Sequence, residues 1–261
     1  MSELKYFIVH KPVGVLSSKG LDPKTTNIVF DKDHPKYGSK LGGDARLTIF
    51  DIALSSGFPS NYGLVGRLDA ETSGIMLMTN DSLFESALRN PTSTSYTECP
   101  FKVKVYRVVC MAQKKTFMSG LLSAEELREL ENDLMEPLSF RRNNITYNTD
   151  RCQLRILKQF QDEEQSKGRQ DLGWCIQFEI SLQEGKHHQI RRIAQRSFLT
   201  VLKLTRTRIA HVLDIESIPV PGQCRWLQHE EVCEIRLGLG FCSNGEPTCL
   251  STNGAHQRIG K

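Results

Sequence analysis

Short apolar runs separated by polar turns make up most of this chain, a pattern that predicts both strands and helices. The residue spacing predicts strands at 6–9, 73–78, 101–105, 151–157, 173–182, 199–209 and 232–237. Helices are predicted at 47–56, 82–89, 123–134 and 187–197, the third of them opened by a capping box of Ser123 and Glu126. Because the two kinds of element follow no regular βαβ alternation, the chain is predicted to be an α+β protein around a mixed sheet.

Polar stretches mark the predicted loops and the end of the folded region. Residues 21–46 contain scattered Pro, Gly and Asp and are expected to form a long loop, and residues 159–171 are expected to form a charged tip. Residues 238–261 are rich in Gly, Ser, Thr and Asn with little apolar periodicity, which predicts a mobile tail. Residues 1–237 are therefore expected to form a single domain.

The bulk composition is that of a soluble globular protein and excludes several classes. The 261 residues are 39% hydrophobic and 25% charged, and no apolar run approaches the roughly 18 residues that a membrane-spanning helix needs. Eight cysteines are spread singly, without a Cys-x-x-Cys pair or a secretory signal. We therefore expect reduced thiols in the cytoplasm, with an organelle or the nucleus left open, and no membrane partner. The spacing of Cys233, Cys242 and Cys249 matches no common zinc knuckle, so no metal site is predicted.

Charge is segregated along the chain more than the net charge of +4 suggests. Residues 186–208 carry seven Lys or Arg and two His with no acid, whereas residues 125–136 carry six acids and one Arg. Such segregation suits a protein with one face toward phosphates, although chance clustering of solvated charge gives the same pattern.

The most informative motif is Gly-Arg-Leu-Asp-Ala-Glu-Thr-Ser-Gly at 66–74, followed by the apolar run 75–78. The flanking glycines place Asp69 in a turn at the edge of a predicted buried strand. In most glycine-rich loops such an Asp only stabilises the turn. Here Arg67 is close by, and residues 184–192 supply further cations and hydrogen-bond donors. The alternative to a purely structural role is a functional Asp69. Its carboxylate would stay ionised in a partly desolvated site because cations lie nearby.

Together these strings resemble the RsuA-type pseudouridine synthases, which isomerise uridine in RNA with one catalytic Asp and no cofactor. Residues 11–14 (Lys-Pro-Val-Gly) are similar to the family's Lys-Pro-x-Gly turn, and residues 104–106 (Lys-Val-Tyr) to its Lys-x-Tyr strand. Residues 184–192 are similar to its Gly-(Lys/Arg)-x-x-Gln-(Ile/Val)-(Arg/Lys)-Arg segment, and residues 201–209 to its closing strand. The resemblance covers roughly residues 4–235, without the N-terminal S4 module that many members carry.

The resemblance implies a largely antiparallel central sheet flanked by helices and loops, with two subdomains around a basic cleft. It implies that Asp69 is the catalytic carboxylate, that Tyr106 stacks on the flipped uracil, and that Arg191 forms a salt bridge with Asp69. Arg67 is a second candidate partner of Asp69. The residues expected to contact RNA are Lys11, Lys186, His188, Gln189, Ile190, Arg192, Arg206 and Arg208. The expected substrate is ribosomal RNA, and the chain is expected to act as a monomer without cofactor.

Two other functions fit parts of the pattern. A non-catalytic RNA-binding or ribosome-assembly protein would keep the basic face but would not need Asp69, Tyr106 and Arg191 together. A glycoside hydrolase would use Asp69 with Glu71 as its two carboxylates.

The orientation of Tyr106 and the chemistry of Asp69 are two further features of the expected site. Apolar alternation at 101–105 predicts that Tyr106 lies on the same face as Lys102 and Lys104, away from the core. The reaction of Asp69 stays open between attack on C1′ of the ribose, attack on C6 of uracil, and proton abstraction at C2′.

Overall fold

The computed structural model describes residues 3–18, 47–89, 102–112, 121–162 and 173–241. The predicted loop at 21–46, residues 163–171 of the predicted tip and residues 242–261 of the predicted tail lie outside the described residues. Within the described ranges, no helix combines the length and the apolar character needed to cross a lipid bilayer.

The described ranges contain eleven strands, five α-helices and a short 3₁₀ helix at Ile215–Ser217. The strands are β1 (Tyr6–Lys11), β2 (Gly63–Val65), β3 (Thr72–Thr79), β4 (Lys104–Ala112), β5 (Ser139–Arg142), β6 (Ile145–Asn148), β7 (Gln153–Gln161), β8 (Trp174–Leu182), β9 (Leu199–Ile209), β10 (Leu213–Asp214) and β11 (Cys224–Trp226). The helices are α1 (Ile49–Ser55), α2 (Ser82–Arg89), α3 (Ala124–Met135), α4 (Gln189–Arg196) and α5 (His229–Gly238).

A single mixed sheet organises the protein, in the strand order β11-β1-β3-β9-β4-β8-β7. The short strands β2 and β10 pair with β3 and β9, and β5 and β6 form a separate hairpin. Every strand pair is antiparallel except β3–β9, where residues 72–74 run parallel to residues 204–206. The sheet therefore has two halves that meet along this short parallel pair. The predicted α+β fold with a largely antiparallel sheet is confirmed.

Both faces of the sheet are buried at β1 and β3, which explains the unbroken apolar run in β3. On β1, Phe7 and Val9 belong to one core cluster and Tyr6 and Ile8 to the other, as the two-residue period of a strand requires. Helices α1, α3 and α4 contribute buried residues to the first cluster, and α2 and α5 contribute to the second. Strands covered on both faces lack the alternation of polar and apolar residues.

Local signals fix several element boundaries as predicted. The capping box of Ser123 and Glu126 opens α3, and the Asp81 side chain accepts a hydrogen bond from the Phe84 amide at 3.0 Å to cap α2. Strand β9 has the predicted bounds. In α4, Ile190, Ile193 and Ala194 are buried together, at a spacing consistent with the helix predicted at 187–197.

The prediction of a strand at 232–237 is wrong, because these residues belong to helix α5. Val232, Ile235 and Leu239 pack against the second core cluster, and their spacing of three and four residues is helical. A capping box of Gln228 and Glu231 opens the helix. The six residues 232–237 are too few to distinguish the 3.6-residue period of a helix from the two-residue period of a strand.

Two predicted boundaries also need correction. Strand β7 continues to Gln161, so the tip at 159–171 begins later than predicted. Leu239 and Phe241 are buried in the second core cluster, so the first residues of the predicted tail are packed against the domain. The hairpin β5–β6 was missed, since its four-residue strands are polar and mostly exposed.

Candidate active site

Asp69 lies in the loop 66–71, between β2 and β3, hereafter the Asp69 loop. Gly66 opens this loop with φ +75°, a left-handed conformation that glycine adopts without strain. Ser17 holds the neighbouring Leu68 from both sides, because its hydroxyl donates to the Leu68 carbonyl at 2.8 Å and accepts from the Leu68 amide at 3.2 Å. The Thr72 amide donates to the Asp69 carbonyl at 3.0 Å. These bonds fix the backbone while the Asp69 side chain stays 39% exposed.

Lys11 is completely buried and supports the Asp69 loop from the interior side, here called below the loop. Its ammonium donates to the carbonyl oxygens of Pro12 at 2.9 Å and Ala70 at 3.3 Å, and the Gly14 amide reaches the same Ala70 oxygen at 2.7 Å. Burial lowers the pKa of Lys11 to about 7, although the carboxylates of Glu71 and Asp69 oppose that shift. The predicted RNA contact by Lys11 is therefore corrected: a side chain with no exposed surface holds the loop instead.

Arg206 is likewise buried, at the parallel junction of β3 and β9. Its Nε donates to the Ile75 carbonyl at 2.7 Å, and its backbone lies directly against Gly74, which has φ +117°. The predicted RNA contact by Arg206 is corrected in the same way. Arg208 is partly exposed but is paired with Glu179 at 3.0 Å, so its charge is already matched within the protein.

The loop before α4 is closed by internal hydrogen bonds. The buried Gln189 side chain donates to Glu184 Oε1 at 2.6 Å and accepts from the Lys186 amide at 2.9 Å. The Lys186 ammonium pairs with the Glu184 carboxylate and donates to the Asn148 carbonyl of β6. Gln189 and Lys186, both predicted to contact RNA, thus hold the structure of this loop and tie it to the β5–β6 hairpin.

His188 is the residue that approaches the Asp69 carboxylate. It begins α4 in a left-handed conformation (φ 53°), and its Nε2 lies 3.7 Å from Asp69 Oδ2. The His187 ring stacks on it with centroids 3.9 Å apart. Burial, the charge of His188 and the nearby Arg142 lower the pKa of His187. No ion pair within 4.0 Å joins Asp69 to Arg191 in the described structure, so the predicted salt bridge is corrected to a His188 contact.

A cleft of about 470 Å³ opens over these residues at the junction of the two halves of the sheet. Three arginines line it, here called the cleft arginines: Arg67, Arg142 and Arg191. Within the described residues, no hydrogen bond or ion pair engages any of their guanidinium groups. The apolar lining of the cleft is formed by Leu68, Tyr106, Leu182, Ile190 and Leu204. Glu71, the second carboxylate that a glycoside hydrolase would need, is not among the lining residues.

Tyr106 reaches the cleft from the core face, which corrects the predicted orientation. It belongs to the first core cluster with Val108 and Cys110, two and four residues further along β4. The register between β4 and β9 shifts between Val105 and Tyr106, but the extra residue lies on β9, so β4 keeps its two-residue alternation. Tyr106 therefore shares a face with Lys104, as predicted, but further along β4 that face carries core residues, and Val105 on the opposite face is also buried.

Arg142 is the main cleft residue that sequence reasoning missed. It ends strand β5, next to the turn residues Asn143 and Asn144, whose φ values of 49° and 62° are typical of a tight hairpin turn. The Asn-Asn pair after the two arginines is the sequence feature that could have predicted a tight turn, and with it this hairpin. Elsewhere in the described chain, no group of three or more His, Cys, Asp or Glu side chains is arranged to hold a metal ion.

Comparisons with known proteins identify the family to which the chain belongs. Residues 5–196 match the model of the RNA pseudouridylate synthase family. The chain is 24% identical over 232 residues to ribosomal small subunit pseudouridine synthase A of Pseudomonas aeruginosa, covering 88% of this chain and 74% of that protein. It is 25% identical over 195 residues to ribosomal large subunit pseudouridine synthase B of Pasteurella multocida, covering 75% of this chain and 46% of that protein.

The fold itself is also similar to a solved structure. A crystal structure of a pseudouridylate synthase covers 90% of this chain with a TM-score of 0.56 at 19% identity, and the match covers 75% of that chain. At this identity the similarity concerns the fold alone. The family match is independent of it and extends over well more than half of the sequence. The chain therefore belongs to the RNA pseudouridylate synthase family.

Proposed function

We propose that this chain, an RNA pseudouridine synthase by family, isomerises uridine to pseudouridine in ribosomal RNA with Asp69 as its catalytic carboxylate. The observation that carries the proposal is the composition of the cleft. One partly exposed carboxylate, Asp69, lies among three guanidinium groups that have no partner in the described protein. Unpaired cations around one carboxylate are suited to bind the phosphate groups of an RNA substrate.

The reaction requires the C1′–N1 bond to break, the base to turn and C1′ to join C5, all on a nucleotide removed from its stack. Asp69 would act on C1′, on C6 or on the C2′ proton. Tyr106 and Ile190 offer an aromatic and an aliphatic surface to the flipped uracil inside the cleft. His188, whose Nε2 lies 3.7 Å from Asp69 Oδ2, would orient the Asp69 carboxylate, and Arg191 and Arg67 would face the RNA.

The choice of ribosomal RNA rests on the relatives, since those described above are named for the small and large ribosomal subunits. The cytoplasm is the proposed compartment, and the chain is proposed to act as a monomer.

Mapping pseudouridines in ribosomal RNA tests the proposal. RNA from cells with the protein, without it, and with only the Asp69→Asn form would be compared position by position. We expect at least one pseudouridine that is present only with the wild-type protein. Identical maps in all three samples would overturn the assignment to ribosomal RNA, and a pseudouridine retained with Asp69→Asn would overturn the role of Asp69.

A further inference from the structure

The β5–β6 hairpin stands apart from the central sheet but is fastened to the active site at several points. The Lys186 ammonium donates to the Asn148 carbonyl at the end of β6. At the base of the hairpin, the Leu138 amide donates to Thr149 Oγ1 at 2.8 Å, and Arg196 of α4 donates to the Pro137 carbonyl at 3.0 Å. The hairpin is therefore held against the loop that carries His188.

One face of the hairpin is turned toward α4. Phe140 pairs with Tyr147 across the strands, and their rings stack with centroids 5.4 Å apart. The Arg192 guanidinium lies over the Phe140 ring, 4.3 Å from its centroid, while its Nε donates to the His187 carbonyl at 3.3 Å. A stacked cation and aromatic pair of this kind fixes the orientation of the hairpin relative to the start of α4.

Strand alternation places the two hairpin arginines on opposite faces. Arg142 lies two residues after Phe140 and thus on the face directed toward α4, and it lines the cleft. Arg141 lies between them and points to the other face, and it is not among the cleft residues. The two side chains have the same charge and adjacent positions but differ in access to the cleft.

We propose that the β5–β6 hairpin is an RNA-binding wall of the cleft, in which the Arg142 guanidinium binds a backbone phosphate beside the target uridine. This rests on the proposed function. The supporting features are an exposed guanidinium without a protein partner in the described structure, its position on the cleft, and the attachment of the hairpin by Lys186 and Arg192. Arg192 and Lys186 then contribute by placing the hairpin, and Arg142 contributes by contacting the RNA.

Equilibrium binding of a short RNA stem-loop with uridines in its single-stranded loop tests this, with Asp69→Asn as the background to prevent turnover. We expect Arg142→Ala to weaken binding roughly five- to tenfold at low salt and to reduce the slope of log K against log salt by about 0.7. Arg142→Lys keeps the charge and should leave the slope unchanged. Arg141→Ala is the matched control and should change affinity less than about twofold.

Equal effects of Arg141→Ala and Arg142→Ala would overturn the proposal, because a general basic field does not depend on the strand face. A loss with Arg142→Lys as large as that with Arg142→Ala would also overturn it, because charge would then not be the cause. These outcomes leave the proposed function untouched. Absence of any pseudouridine product with the wild-type protein would remove the proposed function while the binding comparison still stands.

Discussion

Two groups of cations surround the Asp69 loop, and they differ in what they contact. Below the loop, Lys11 and Arg206 are buried and donate to backbone carbonyls of Ala70 and Ile75. Above it, the cleft arginines Arg67, Arg142 and Arg191 face solvent without partners in the described residues. The buried pair donates to carbonyl groups of the protein, although Arg206 Nη2 has no hydrogen-bond partner in the described structure, whereas the cleft arginines are accessible to an external anion.

The comparison shows that a basic residue in a nucleic-acid enzyme need not contact nucleic acid. A buried charge is costly unless its hydrogen bonds are made, so Lys11 is more useful as a fixed donor to the loop than as a phosphate ligand. The lowered pKa of Lys11, about 7, is consistent with this role, because a neutral amine can still donate to a carbonyl. The buried pair supports the backbone of the site, and the cleft arginines are the residues that we propose to bind RNA.

The largest effect is expected at the junction that holds Arg206. In Gly74→Ala the new Cβ would lie 2.2 Å from the Arg206 carbonyl oxygen, at φ +117°, so both the contact and the backbone conformation are unfavourable. We expect a loss of about 3–5 kcal/mol in the free energy of unfolding, measured by urea denaturation. Gly66→Ala, where nothing lies within 4 Å of the added atom, is the control and should cost about 1 kcal/mol. Similar losses in both variants would contradict the close packing at the junction.

Lys11→Met distinguishes a role of Lys11 in positioning the Asp69 loop from a role in binding RNA. Removal of the donor to Ala70 should displace the Asp69 loop and lower the single-turnover rate about 100-fold, since misplacement by an ångström has effects of that size. RNA affinity and its salt dependence should stay unchanged, because a residue without exposed surface binds no phosphate. A reduced salt slope with a normal rate at saturating RNA would show that Lys11 contacts RNA after all.

A smaller effect is expected from the histidine beside Asp69. His188→Asn removes the group 3.7 Å from the carboxylate and should lower the single-turnover rate roughly tenfold with little change in affinity. His187→Asn removes the stacked neighbour instead and should change the rate less than about threefold. If the two variants behave alike, the contact between His188 and Asp69 has no catalytic role.

Much of the fold follows from local signals in the sequence, and the exceptions have physical causes. The bounds of β9 and the buried face of α4 follow from apolar periodicity. The orientation of Tyr106 does not, because Val105 and Tyr106 are both buried and apolar alternation does not distinguish the core face there. Residues 232–237 alone do not indicate helix α5, because Leu239, the third apolar residue of its buried face, follows that segment.

The site is predictable in its chemistry but less so in its contacts. Asp69, Tyr106, Ile190 and Arg191 meet at one cleft, as the motifs implied. The burial of Lys11 and Arg206 was not predictable, since such residues are rarely fully buried and Ala70 and Ile75, whose carbonyl groups accept hydrogen bonds from them, lie far away in the sequence. The pairing of Asp69 with His188 depends on the left-handed start of α4, which no sequence pattern indicated.

Asp69→Asn in a single-turnover assay, combined with RNA binding, tests the central claim most directly. The exchange removes the charge at nearly constant shape, and the cleft arginines are unaltered. We predict that product formation falls at least about 1,000-fold while the Kd for RNA stays within about twofold, because affinity comes from cation–phosphate contacts. Turnover comparable to wild type would contradict the assignment of Asp69 as the catalytic carboxylate.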